Sequence, residues 1–337
     1  MKRKLFNKIA LVVSSSLILL LPVTASAATA KSDAVGGNGL KVSPIRTSLT
    51  INPGSSKTVT VYVTNVTDTP ARLQVIINDF KANSDETGKP DIILNSNQYA
   101  SSHSLKQFVV PPPDFNLAPH QQKAENVTIS VPKGTAGGGY YGAIRFIAAG
   151  APGGNQQVNV AASVGSLVLL KVPGNINEDL RLISLGVSKN GSSGSFFTSG
   201  SNLSAVARFE NFGNLQEVPF GKFILKKDGK QVASYDVNGG SAPGNVLPDS
   251  IRRFSQPLKN LGWGKYTLEG NFGYGDKGTL LSGQKTFYII PLWLIIAVIV
   301  IIILIILAII LGRKELKRHD RKLLANYRRA NRRSGRR

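Results

Sequence analysis

The sequence predicts an all-β body of two tandem immunoglobulin-like β-sandwiches followed by one C-terminal transmembrane α-helix. Three observations carry this. First, Lys57 to Asn65 reads KTVTVYVTN, with Val59, Val61 and Val63 alternating against Thr58, Thr60, Tyr62 and Thr64, the period-two pattern of a half-buried strand. Second, short runs of this kind recur between turn signals from residue 40 to 288 without a helical period, which is the spacing of a sandwich. Third, Ile289 to Leu311 is 23 residues without a charge; at ~1.5 Å per residue a helix of this length crosses a ~30 Å hydrocarbon core.

Taken in order, residues 1–27 have the three parts of a secretory signal peptide: basic Lys2 to Lys8, apolar Ile9 to Leu21, and Ala25-Ser26-Ala27 as a small-residue cleavage site. Residues 28–39, rich in Ala, Ser and Gly, read as a loose spacer. The first sandwich is assigned to 40–172. Its Asn52-Pro53-Gly54 turn precedes KTVTVYVTN, and strands are expected at Ala71 to Phe80, around Val127, Ile129 and Val131, at Tyr140 to Ala148 and at Gln157 to Val172. The polar stretch Lys81 to Gln107 is either a binding loop, with Tyr99 and His103 near its tip, or a solvated excursion between edge strands.

After the Pro173-Gly174 linker, a second sandwich is assigned to 173–288. Seven strands are expected between Leu180 and Ile290, with hairpin turns at Asp228-Gly229 and at Tyr274 to Gly278. Residues 289–311 form the membrane helix, with Trp293 as the interfacial aromatic and Arg313 and Lys314 as the cations that stop transfer. The positive-inside rule then puts the basic tail, 312–337, in the cytoplasm and both sandwiches outside. Leu316, Leu323, Leu324 and Tyr327 fall along one side of a helix flanked by Arg and Lys, which suits either an interfacial helix on anionic lipid or a plain stop-transfer cluster.

The net charge of +22 resembles that of a nucleic-acid binder until it is divided. Four cations lie in the leader and twelve, against two acids, in the tail, so about +8 remains for the whole middle. Nucleic acid is therefore not the partner this charge points to. The chain has no cysteine, which removes disulfides, thiol catalysis and thiolate metal sites. His103 and His120 stand in no metal-binding or triad pattern, and Gly137-Gly138-Gly139 is a strand entry without the GK[ST] of a phosphate loop. Leu247-Pro248-Asp249-Ser250 has the look of a sortase signal but lacks Thr-Gly and lies about forty residues before the apolar run. No catalytic residue, metal or cofactor is expected.

The order of an Asn-Pro-Gly turn before KTVTVYVTN, then FNLAPHQQKAENVTISVP, then GGGYYGAIRF, resembles the peptidoglycan-binding domain of the WxL-interacting proteins of Gram-positive surfaces. That family has a signal peptide, two immunoglobulin-like domains, one membrane helix and a basic tail, the layout read here. The chain is not itself a WxL protein, since Trp263 is followed by Gly264-Lys265 and Trp293 by Leu294-Ile295. The expected function is a membrane-anchored cell-surface binding protein, not an enzyme, that engages wall peptidoglycan or another wall polymer, another surface protein, or both. Candidate contacts are Tyr99, His103, Tyr140 and Tyr141, because sugars stack on aromatic faces. A chaperone-like or accessory subunit of a secretion, pilus or surface-assembly system is the alternative.

Overall fold

A computed structural model describes residues 34–35, 39–148, 163–259 and 261–334. The expected signal peptide and the Gln157 end of one expected strand lie outside the described residues.

The first sandwich contains β1 (Ala34–Val35), β2 (Leu40–Ser43), β3 (Arg46–Thr50), β4 (Ser56–Asn65), β5 (Ala71–Ala82), β6 (Pro90–Ile92), β7 (Phe115–Leu117), β8 (Gln122–Ser130), β9 (Gly138–Ala148) and β10 (Ser163–Val172). One sheet has the order β1-β2-β4-β8; the other has β3-β10-β9-β5, with β6 and β7 both added to β5. The alternation read in KTVTVYVTN sets the packing: Val59, Val61 and Val63 are buried against Leu73, Ile77, Ile129, Phe146 and Leu170 from both sheets. Thr58, Thr60 and Thr64 point outward and bond across to Thr128, Asn126 and Gln122. Ala34 and Val35 pair with Val42 and Lys41, so the expected spacer contributes an edge strand where β2 offers free backbone groups.

The second sandwich is built from β11 (Leu180–Lys189), β12 (Ser192–Gly194), β13 (Phe196–Phe197), β14 (Leu203–Asn211), β15 (Phe220–Lys227), β16 (Lys230–Val237), β17 (Ser250–Pro257), β18 (Gly264–Tyr274) and β19 (Thr279–Ile289). The sheets are β12-β11-β14-β17 and β13-β19-β18-β15-β16. Their core is aromatic, with Phe209 and Phe223 both edge to face on Phe272, and Phe287 edge to face on Phe197 and stacked on Tyr266. The expected Asp-Gly hairpin joins β15 to β16 with both central residues at positive φ, Asp228 at 50° and Gly229 at 81°, as a primed turn requires. Strands β12 and β13 have no sequence signature, being three and two residues long in a Ser/Gly/Phe stretch.

The helix, α1 (Leu292–Ser334), differs from expectation at its start. It starts three residues later than Ile289, because Ile289 is the last rung of β19 and pairs with Gly264. It then runs through Gly312 into the tail without a break, since that stretch holds no proline and its one glycine costs only about 1 kcal/mol.

Candidate functional site

Strand β5 departs from period two at its end. Asn78, Asp79 and Phe80 are buried in succession, so both faces of the sheet are covered here. The cover is the polar stretch after β5, and Asp79 fastens it: Oδ2 accepts from the Ala100 N–H and Oδ1 from the Lys106 N–H, both at 2.9 Å. The Ile93 N–H donates to the Asp79 carbonyl at 2.9 Å, and the Asn78 side chain donates to the Ile93 carbonyl at 2.7 Å. Leu105, Phe108 and Val109 then enter the core. Lys81 to Gln107 is therefore not a solvated excursion. The stretch is a strap laid on the sandwich, and its tip is the Asp85 to Gly88 turn, not Tyr99 and His103.

That turn reaches the second sandwich. The Arg208 guanidinium, on β14, grips Glu86 through both carboxylate oxygens, with Nε to Oε2 at 2.7 Å, and this hydrogen bonding holds the Glu86 carboxyl below its ordinary pKa. The Arg253 N–H donates to the Glu86 carbonyl at 2.9 Å. On the far side of β9, the Gly139 N–H donates to the Asn214 carbonyl at 2.7 Å, and the Tyr141 hydroxyl donates to Gln216 at 2.9 Å. The three glycines at 137–139 permit this approach. A Cβ on Gly137 would stand 2.7 Å from the Asn175 backbone, and one on Gly139 would stand 1.9 Å from the Tyr141 hydroxyl.

Between these two junctions lies a groove of about 400 Å³ lined by Phe80, Tyr99, His103 and Tyr141 from the first sandwich and by Leu247 and Asp249 from the second. This is within the range of small-ligand sites. Tyr99 is 55 % exposed, with the Lys106 ammonium 4.6 Å from its ring centre, so it can still offer aromatic surface to a sugar. His103 Nδ1 sits 2.7 Å from the Gly139 carbonyl. A carbonyl only accepts, so Nδ1 carries the proton, and in the neutral ring Nε2 is left as an acceptor for a hydroxyl.

The structure divides the four predicted contacts. Tyr99, His103 and Tyr141 line one groove, but Tyr141 is only 2 % exposed, and burial raises its phenol pKa. Its ring packs in a small core with Phe80, Leu169 and Leu247, so it braces the two sandwiches and has no free face for a sugar. Tyr140 is half-buried, edge-on to Phe108 at 4.9 Å, with its hydroxyl on the Ala136 carbonyl. The Leu247-Pro248-Asp249-Ser250 run is groove wall, its turn closed by the Ser250 hydroxyl on the Leu247 carbonyl at 2.7 Å.

Sequence reasoning missed the cationic end. A smaller neighbouring cavity is lined by Arg46 of β3, Lys89 of the strap and Arg252 of β17, with apolar Leu167, Leu169 and Leu247. No carboxylate lines it, and none of the three cations is in an ion pair among the described residues. Arg252 bonds the Asn245 carbonyl at 2.8 Å, yet its Nε is buried without a partner. Burial, and then the nearby Arg46 charge, lower its pKa. Such a pocket favours an anion. Only the fold brings these residues together, so no spacing could have announced them. Among the described residues no group of acidic or histidine side chains is arranged to hold a metal ion.

Residues 48–148 match the family model described as WxL Interacting Protein, peptidoglycan binding domain. The match supports the family resemblance carried by KTVTVYVTN and GGGYYGAIRF, and it covers β4, β5, the strap and β9. A search of curated proteins finds no match. Among solved structures, the class 5 fimbriae chaperone CfaA is 13 % identical with a TM-score of 0.35, over 74 % of this chain and 98 % of that one. The Pseudomonas aeruginosa CupB2 chaperone is 13 % identical with a TM-score of 0.32, over 74 % and 100 %. A chain of the CsuC–CsuE chaperone–tip adhesion subunit pre-assembly complex from the Csu pili of Acinetobacter baumannii is 14 % identical with a TM-score of 0.35, over 75 % and 99 %. Scores this low carry no functional argument.

Proposed function

We propose that this is a membrane-anchored surface protein of a Gram-positive-type cell that holds wall peptidoglycan through its first sandwich. The observation that carries the reading is the match of residues 48–148 to a peptidoglycan-binding domain family. The groove beside that domain supplies suitable chemistry: Tyr99 for stacking on a sugar ring, His103 Nε2 for a hydroxyl, and Arg46, Lys89 and Arg252 for a carboxylate or phosphate of an anionic wall polymer. A signal peptide over residues 1–27 exports the sandwiches, α1 spans the bilayer, and the tail cations beginning at Arg313 and Lys314 stay in the cytoplasm against anionic lipid. Trp293, 64 % exposed one residue into the helix, marks the outer interface.

Co-sedimentation tests this. A fragment of residues 34–290, which keeps β19 whole, should pellet with isolated peptidoglycan. Tyr99→Ala should weaken pelleting several-fold, and Arg46→Ala should weaken it most at low salt, where charge attraction is least screened. No pelleting at low salt would sink the wall-binding reading.

A further inference from the structure

The second sandwich has a chemically distinct end where it meets α1. Strand β19 ends at Ile289, paired with Gly264 and with Phe197. The Ile290 N–H still donates to the Phe197 carbonyl at 2.8 Å, and the very next residue opens the helix, the Pro291 carbonyl accepting from the Leu294 N–H at 3.0 Å. Backbone bonding thus passes from sheet to helix at successive residues. There is no slack with which the sandwich could stand off from a bilayer that begins at Leu292.

The side chains on that end suit a bilayer surface. Trp263 immediately precedes Gly264, so the ladder sets it level with Ile290, and it is 63 % exposed. Phe196 is 71 % exposed and lies flat on Tyr288, ring centres 5.2 Å apart and planes at 11°. Neither is needed by the core; Trp263 stands level with Ile290 and Phe196 with Tyr288, two and four residues before α1 begins. The charge of this end is one-sided too. Lys189, Lys227, Lys230, Lys259 and Lys265 lie at or beside the loops of this end, with Asp228 the one acid among the described residues there. The opposite end, toward the first sandwich, is mixed: Glu178, Asp179, Glu210, Glu217, Asp249 and Asp276 lie there among Arg181, Arg252, Arg253 and Lys277. Lys227 also holds the Trp263 carbonyl at 3.0 Å, tying a cation to the exposed indole.

We infer that this rim, led by Trp263, Phe196 and Tyr288, is a membrane-docking surface that rests in the headgroup layer of the adjoining leaflet and fixes the sandwich pair upright on its helix. Trp and Tyr, with one apolar and one polar side, favour that layer, Phe196 adds apolar surface to it, and the lysines favour anionic headgroups. The inference rests on the membrane-anchor reading of α1 but goes beyond it, since a spanning helix alone does not require the domain to touch lipid.

The chain has two tryptophans, which separates the two ideas. Full-length Trp293→Phe, reconstituted in vesicles containing phosphatidylglycerol, leaves Trp263 as the only indole. Its emission should shift to the blue, and lipids brominated near the headgroup should quench it severalfold more than lipids brominated near the chain ends. Lys227→Glu with Lys265→Glu should reduce that quenching in anionic vesicles and leave it unchanged in neutral ones. In Trp263→Phe, Trp293 reports the helix. Quenching of Trp293 with water-like, unquenched Trp263 emission would overturn the docking surface while leaving the anchor intact. Loss of quenching at both would overturn the anchor and the docking surface with it.

Discussion

Glu217 offers the sharpest energetic test of how the two sandwiches are joined. Its backbone pairs with Val246 in both directions, at 2.7 and 2.9 Å, and its side chain is carried into the junction at 3 % exposure. Oε1 has no hydrogen-bond partner. Burial first, then the charges of Glu178 and Asp276, push the carboxyl from 4.5 up to about 7, with Lys171 opposing them. A raised folded-state value means that the native protein binds the proton more tightly than the unfolded chain does. Stability is therefore full below about 4.5 and falls as pH rises toward 7. The shift corresponds to roughly 3 kcal/mol between those limits. Glu217→Gln keeps the shape and removes the charge, so it should leave stability unchanged at pH 4 and raise it by a few kcal/mol at pH 8. Urea denaturation of residues 34–290 at both pH values measures this. A parent curve that does not weaken between pH 5 and 8, or a Gln variant no more stable than the parent at pH 8, would refute the reasoning.

Other expectations follow from the same structure. Val61 is fully buried and Thr60 faces outward onto Asn126, so Val61→Asp should unfold the first sandwich by several kcal/mol while Thr60→Asp shifts its melting by little; equal melting temperatures would refute the register. Glu86→Ala removes the two-point grip of Arg208 and should loosen the strap from the second sandwich by about 1 kcal/mol, the partial exposure of the pair limiting the effect; faster hydrogen exchange confined to residues 83–92 and the facing β14 and β17 would report it. Because Arg208 holds the Glu86 carboxyl below its ordinary value, that contribution should be present above about pH 4.5 and vanish as pH falls through the lowered value. Cleavage after Ala27 predicts a mature chain starting at Ala28, and protease added to wall-stripped cells should remove the sandwiches and spare a basic C-terminal fragment. Mass spectrometry finding Lys2 to Leu21 retained would overturn the leader.

The fold was readable wherever a residue's surroundings repeat at the period of its own element. Val59, Val61 and Val63 announce a strand because each meets the opposite sheet, and the Asp228-Gly229 hairpin follows from two residues that tolerate positive φ. The reading failed where a second layer covers the first. In β5, Asn78-Asp79-Phe80 breaks the alternation, and the break is itself the signal: a buried carboxylate in a strand must find donors, and Asp79 finds them in the backbone of Ala100 and Lys106. The sequence places Asp79 inside the expected strand Ala71 to Phe80, but period two alone does not say that its side chain is covered by a second layer.

The candidate site was legible only as to its neighbourhood. Tyr99, His103 and Tyr141 come together because the strap folds back on β9, yet the same folding buries Tyr141. Aromatic identity cannot separate a residue that offers a face to a ligand from one that braces a junction; the Tyr141 hydroxyl on Gln216, 75 positions away, makes that decision. The cationic pocket is further still from the sequence, since Arg46 and Arg252 are 206 residues apart by their numbering and belong to different sandwiches. Two like charges share one cavity only when the junction holds them there, and the junction is held in part by Glu86 and Tyr141. Loosening it should therefore weaken anion binding without touching either arginine. For Glu86→Ala this predicts a drop in peptidoglycan pelleting at low salt like that of Arg46→Ala, and unaltered pelleting would mean that the groove does not depend on the docking of the two sandwiches.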